Sequence, residues 1–188
     1  MIHYVKGDIT KSDCDIICHQ VNCQGAMNSG VAKAIREKWP EVYEQYRALC
    51  KRQDGSGWLL GVMQPVEIQH ISPRYVVNLF AQQYYGYDGT RFTDYEAFYN
   101  SLSHLAIELS DAPDKTIAFP YKIGCVRGGA NWTIIRTMIE EVFKDREVYF
   151  YYLNEEELDE VAKKSIIADN YKETLEQLKG MGVVCLKE

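Results

Sequence analysis

Two stretches of this 188-residue chain place glycines where an apolar, strand-like run gives way to a helix-like one. The first is Val21-Asn22-Cys23-Gln24-Gly25-Ala26-Met27-Asn28-Ser29-Gly30-Val31-Ala32. A helix N-terminus offers unpaired N–H groups and the positive end of a dipole, and both favour an anion. Gly25 and Gly30 let the backbone approach a ligand closely. The second stretch, Ile123-Gly124-Cys125-Val126-Arg127-Gly128-Gly129-Ala130-Asn131-Trp132, reads as the same layout. Two such loops at neighbouring strand ends would clamp a diphosphate from two sides, on the rim where open α/β sheets bind ligands. Neither loop carries the P-loop or the dinucleotide glycine fingerprint. Each alone is compatible with an ordinary turn, and their pairing is what points to a phosphate-containing nucleotide.

Few other residues have the chemistry for a reaction. His19 lies on the second strand-like run and is either a general base, by its near-neutral pKa, or a satisfied core residue. Asp88, in Gly86-Tyr87-Asp88-Gly89-Thr90, is placed to orient a water or to make a turn. Arg127 either grips a terminal phosphate bidentately or is a solvated loop arginine. Cys125 is a nucleophile only if something stabilises its thiolate. Cys14, Cys18 and Cys23 do not have zinc-knuckle spacing, and a strand would splay them over two faces. The reading is therefore of a site without a metal or cofactor. Tyrosines cluster at 84–87 and 149–152, and the first group suits an aromatic lid as well as plain packing.

The elements that must position these residues follow from periodicity. Residues 2–6, 15–21, 59–68, 75–81, 116–120 and 148–153 read as strands, the second and fifth as continuously apolar buried runs. Helices are expected from Asn28 or Ser29 to Pro40, over 41–52, and over 132–143. Another opens at Thr93, where Thr93-Asp94-Tyr95-Glu96 fits a capping box and Phe98, Leu102, Leu105 and Leu109 form its apolar stripe. Residues 54–57 are a turn by composition. Strands alternating with helices imply an α/β fold with a mixed central sheet. Beyond Asn154 the chain turns to charged helix formers and is read as an accessory extension of two helices and an edge strand.

Composition narrows the rest. With 46% hydrophobic residues the chain can bury a full core. Its net charge of −6 disfavours nonspecific binding to nucleic acid, although a locally positive cleft fits within that total. No apolar run is long enough to span a bilayer. No export signal is seen, so six cysteines in apolar or strand-like segments read as reduced thiols of a cytoplasmic protein.

Taken in order, Gly7-Asp8-Ile9, the VNCQGAMNSGVAKAI segment, NLFAQ at 78–82 and FPYKIGCVRGGANW at 119–132 resemble a macrodomain over residues 1–153. The resemblance implies a three-layer α/β/α domain that binds ADP-ribose, with residues 154–188 as a C-terminal extension free to meet a protein partner. It is similar to short bacterial and phage members that process ADP-ribose-1″-phosphate, and to terminal ADP-ribose glycohydrolases. By that resemblance Asp8 accepts from the adenine amino group, with Ile9 beside it, and Tyr151 or Leu153 packs on adenine. Asn22 lies near the distal ribose, Ser29, Gly30, Val31 and Ala32 form the first phosphate loop, and Gly124 to Gly129 form the second. The glycohydrolases' lysine and aspartate are missing from 82–91 and from the second loop, and Lys122 precedes that loop. Asn22 and Asp88 remain the candidate catalytic residues, and a noncatalytic ADP-ribose reader is the rival expectation.

Overall fold

The computed structural model describes residues 1–52, 57–69, 72–86 and 88–180. Along the chain run β1 (Ile2–Lys6), β2 (Ile16–Asn22), α1 (Gly30–Lys38), α2 (Pro40–Arg52), β3 (Met63–Glu67) and β4 (Tyr75–Gln82). There follow α3 (Tyr95–Glu108), β5 (Ile117–Pro120), α4 (Trp132–Val142), β6 (Val148–Tyr152) and α5 (Glu160–Gly180). The strands form one mixed sheet in the order β1-β6-β5-β2-β4-β3. Only β3 is antiparallel to its neighbour.

Both sheet faces are covered, which explains why the central strands are apolar throughout. On one face Ile35 of α1, its C-cap Trp39 and Val42 of α2 meet Ile17, Val76 and Ala118. Tyr46 and Cys50 of α2 extend that layer over Val21, Cys23 and Phe80. On the other face Phe98, Leu102 and Leu105 of α3 and Trp132, Ile135 and Ile139 of α4 pack on Cys18, Leu79, Phe119 and Phe150. This is the three-layer α/β/α arrangement expected from the sequence.

Several boundaries differ from the expected ones, for identifiable reasons. The strand read over 59–68 shrinks to Met63–Glu67, because Gly57–Leu59 makes a 3-10 turn before it. Its Pro65 is tolerated because β3 is an edge strand. Pro40 begins α2, where a missing N–H is harmless. The cap of α3 is Asp94, whose carboxylate accepts from Ala97 N at 2.9 Å; Thr93 is left for another task. The two helices expected after Asn154 are one, α5, after a 3-10 turn at Glu155–Glu157. Leu158 and Ala162 belong to the main core, so the extension is joined to the domain from its first turn. The turn expected at 54–57 falls almost wholly outside the described residues, and the edge strand expected near the C-terminus lies beyond them.

Candidate functional site

The ladder between β2 and β5 stops at Ile17↔Ala118, yet β2 runs on to Asn22. Pro120 ends β5 and has no N–H to continue the pairing. The two strands therefore part toward their C-terminal ends. The chain after β2 leaves for the α1 face, and the chain after β5 leaves for the α4 face. A cleft of about 490 Å³ opens at this switch point.

One wall is the start of α1. Ser29, Gly30, Val31 and Ala32 line the cleft, and the first intrahelical bond recorded there runs from Lys33 N to Ser29 O at 3.2 Å. The Gly30, Val31 and Ala32 amides thus stay available, as expected of a first turn. The Ser29 hydroxyl makes no cap bond. Asn22 builds the loop ahead of this helix. Its Oδ1 accepts from Gln24 N at 3.0 Å and Ala26 N at 3.2 Å, and its Nδ2 donates to Ala26 O at 2.8 Å. Buried Tyr46 fixes it from behind by donating to the Asn22 carbonyl at 2.6 Å. Asn22 lines the cleft while doing this.

The opposite wall is Gly124, Val126, Arg127 and Gly128, with Lys122 and Ile123 at its root. Here the layout departs from the expected copy of the first loop. The glycines sit in successive turns, Cys125 N to Lys122 O and Gly129 N to Cys125 O, and α4 begins only at Trp132 under an Asn131 cap. The loop is held from below. Gln20 Nε2 donates to the Thr93 hydroxyl at 2.8 Å, which donates to the Gly124 carbonyl at 2.8 Å. Phe92 N and Thr93 N both donate to the Gly128 carbonyl at 2.9 Å. A methyl on Gly128 would overlap Thr93 Oγ1 and the Gly124 carbonyl oxygen, and one on Gly124 would overlap Gln20 Oε1. Close packing thus requires glycine at 128, and a φ of +74° favours it at 124.

His19 and Gln20 form the floor. His19 is 1% exposed, and its Nε2 lies 2.6 Å from Asn78 Oδ1, whose Nδ2 in turn donates to Gln64 at 3.0 Å. Burial pushes the His19 pKa down to about 4, partly offset by the Asn78 bond. The ring is therefore neutral at pH 7, with Nε2–H as the donor and Nδ1 a bare acceptor without a partner among the described residues. It is neither a poised general base nor a fully satisfied core residue. Gln20 Oε1 is likewise buried and unpartnered. Such atoms are uncommon in folded proteins.

Other residues singled out in the sequence lie elsewhere. Gly25, Cys125 and Gly129 belong to the two loops but not to the lining. Burial raises the Cys125 thiol to about 11, so it is no thiolate nucleophile. Asp88 is exposed and makes a turn, accepting from Thr90 N at 3.0 Å and Thr90 Oγ1 at 2.8 Å. Those bonds hold its carboxyl below the usual range. Asp8 caps the turn after β1 by accepting from Thr10 N at 2.9 Å, while Ile9 is buried against the α1 face. Tyr151 is half-buried beside them and Leu153 is 65% exposed at the end of β6. Of the tyrosine cluster, Tyr85 lines the cleft with Gly86, and Tyr87 lies outside the described residues. Gln20, Gln82, Thr93, Tyr121 and Glu157 were not anticipated. The signal for Gln20 was present as polar residues at the end of a strand whose other positions are apolar.

The chain is a three-layer α/β/α domain with two glycine-bearing loops at a sheet switch point. Residues 18–139 match the Macro domain family, and the chain belongs to it. A DNA ADP-ribosyl glycohydrolase of Mycobacterium tuberculosis is 25% identical over 145 residues, which are 77% of this chain and 39% of that protein. An ADP-ribose 1″-phosphate phosphatase of Scheffersomyces stipitis is 30% identical over 99 residues, 45% of this chain and 57% of that protein. The matched region is thus about two fifths of the length of the glycohydrolase. Among solved structures, the macrodomain of Mycobacterium tuberculosis DarG superposes with a TM-score of 0.70 at 22% identity, over 82% of this chain and 99% of that one.

Proposed function

We propose that the cleft binds ADP-ribose or a derivative of it, and that the chain hydrolyses such ligands at the distal ribose. The observation that carries the binding is that the start of α1, Gly30–Ala32, and the second loop, Val126–Gly128, line one and the same cleft. Backbone amides hold phosphate without a metal, and Lys122 and Arg127 add positive charge to the same lining. The relatives named for ADP-ribosyl glycohydrolase and ADP-ribose phosphatase activity support the same ligand.

Hydrolysis at this site works by positioning. The loop amides fix the diphosphate, Asn22 keeps one Nδ2 hydrogen for the distal ribose, and a water attacks C1″ or the phosphorus. Preorganised amides can supply most of such a barrier reduction. Asp88 would have to leave its turn to orient that water, which favours the reader as the second reading. The five described cysteines are all unpaired thiols, which suits the cytoplasmic setting we assign. Exposed Ile167 and Tyr171 of α5 are the surface we assign to a protein partner.

Calorimetry with ADP-ribose tests the binding. Product assays on ADP-ribose-1″-phosphate and on aspartyl-, glutamyl-, seryl- and DNA-linked ADP-ribose test the hydrolysis. Turnover of at least one substrate is expected. Binding with no turnover on the whole panel selects the reader, and absence of binding overturns both.

A further inference from the structure

The C-terminal extension reaches into the cleft. Glu157, five residues beyond the last residue of β6, is part of the lining together with Pro120, Tyr121 and Lys122. Its neighbours are tied down on both sides. Glu155 pairs with Lys6 of β1 at 2.7 Å. Asp159 N donates to the Tyr121 hydroxyl at 2.8 Å, and the Asp159 carboxylate both caps α5 at Ala162 N and meets Arg136 of α4 at 3.5 Å. Leu158 is buried in the main core. Glu157 itself makes no side-chain bond among the described residues and is exposed. A fixed backbone thus carries an uncommitted carboxylate to the mouth of the site.

The strand order says which part of a ligand meets it. With β1-β6-β5-β2-β4-β3, the β6 end supplies Glu157, the adjoining β5 and β2 ends supply the two amide loops, and the β4 end supplies Gln82, Tyr85 and Gly86. An anion is favoured in the middle of that row. At the β6 end a carboxylate accepts hydroxyl donors and opposes a second phosphate. The proposed ligand, on whose identity this rests, has a ribose on either side of its diphosphate. We propose that Glu157 is a specificity-determining residue: it accepts from the vicinal hydroxyls of the ribose lying at the β6 end and rejects that sugar when it bears a phosphate.

The test is calorimetry on the full chain with ADP-ribose, ADP-ribose 2′-phosphate and ADP-ribose-1″-phosphate, using wild type, Glu157→Gln and Glu157→Lys. The wild type is expected to bind one of the phosphorylated ligands about tenfold more weakly than ADP-ribose, a typical scale for like charges brought together. Glu157→Gln removes most of that gap and Glu157→Lys closes or reverses it, while the ratio for the other phosphorylated ligand stays unchanged. Which ligand responds identifies the ribose at the β6 end. Wild type that binds ADP-ribose, with both ratios moved less than twofold by either substitution, overturns the role of Glu157 alone. Wild type that fails to bind ADP-ribose overturns the ligand assignment and this inference with it. Because the side chain anchors nothing, thermal unfolding of both variants should match wild type and separates a specificity effect from a folding defect.

Discussion

The two walls of the cleft do the same work by different means. The first wall is a helix end, and its free amides exist because any α-helix leaves its first N–H groups unpaired. Asn22 and Tyr46 only have to aim it. The second wall has no helix at its glycines, and its shape comes from Gln20, Thr93 and the 90–93 backbone pressed against Gly124, Gly128 and Gly129. Lys122 even adopts a φ of +56°, an uncommon conformation for a residue with a Cβ. A generic element tolerates side-chain change at its edge, whereas a knotted loop does not.

The strongest way to break this contrast is Gly128→Ala. The added methyl meets a buried hydroxyl and a carbonyl that have nowhere to go, so a loss of about 3 kcal/mol or more in denaturant unfolding is expected, with loss of ligand binding. A cost under 1 kcal/mol would mean the second wall is as pliable as the first. The floor beneath both walls gives the next effect. The His19 pKa falls on folding, so the unfolded chain binds more protons between pH 6.5 and about 4, and stability declines as pH drops through that window. From pH 7 to pH 4.5, wild type should lose about 2–3 kcal/mol more than His19→Gln in paired denaturation curves. Parallel curves would show that His19 is not held neutral. The smallest effect belongs to the first wall. Removing a serine N-cap commonly costs about 1 kcal/mol, but the Ser29 hydroxyl makes no cap bond. Ser29→Ala should therefore stay within about 0.5 kcal/mol of wild type in thermal unfolding.

What could be read from the sequence divides along the same line. The first wall was legible because a serine, a glycine and an apolar 3.6 period are local signals. The strands were legible as apolar runs, and their alternation with helices gave the layers. The second wall was misread as a copy of the first, because its shape depends on residues 20, 93 and 124 meeting in space. Thr93 shows the difficulty: in Thr-Asp-Tyr-Glu either of the first two residues can cap a helix. Asp94 took the cap because the Thr93 hydroxyl is spent on Gln20 and Gly124. Glu157 hid for another reason, since an acidic run normally reads as a solvated face.

The pairing of β1 with β6 has a consequence for how the molecule comes to exist. Ile2 lies opposite Val148, so β1 has no neighbour in the sheet until β6 has been synthesised. The Gln20–Thr93–Gly124 knot also joins distant parts of the chain, its first two members lying 73 residues apart. Such long-range closure costs chain entropy before any contact rewards it, and folding dominated by it is slow. The cleft is thus among the last parts of the domain able to form, and an emerging chain carries its first wall well before it has a second.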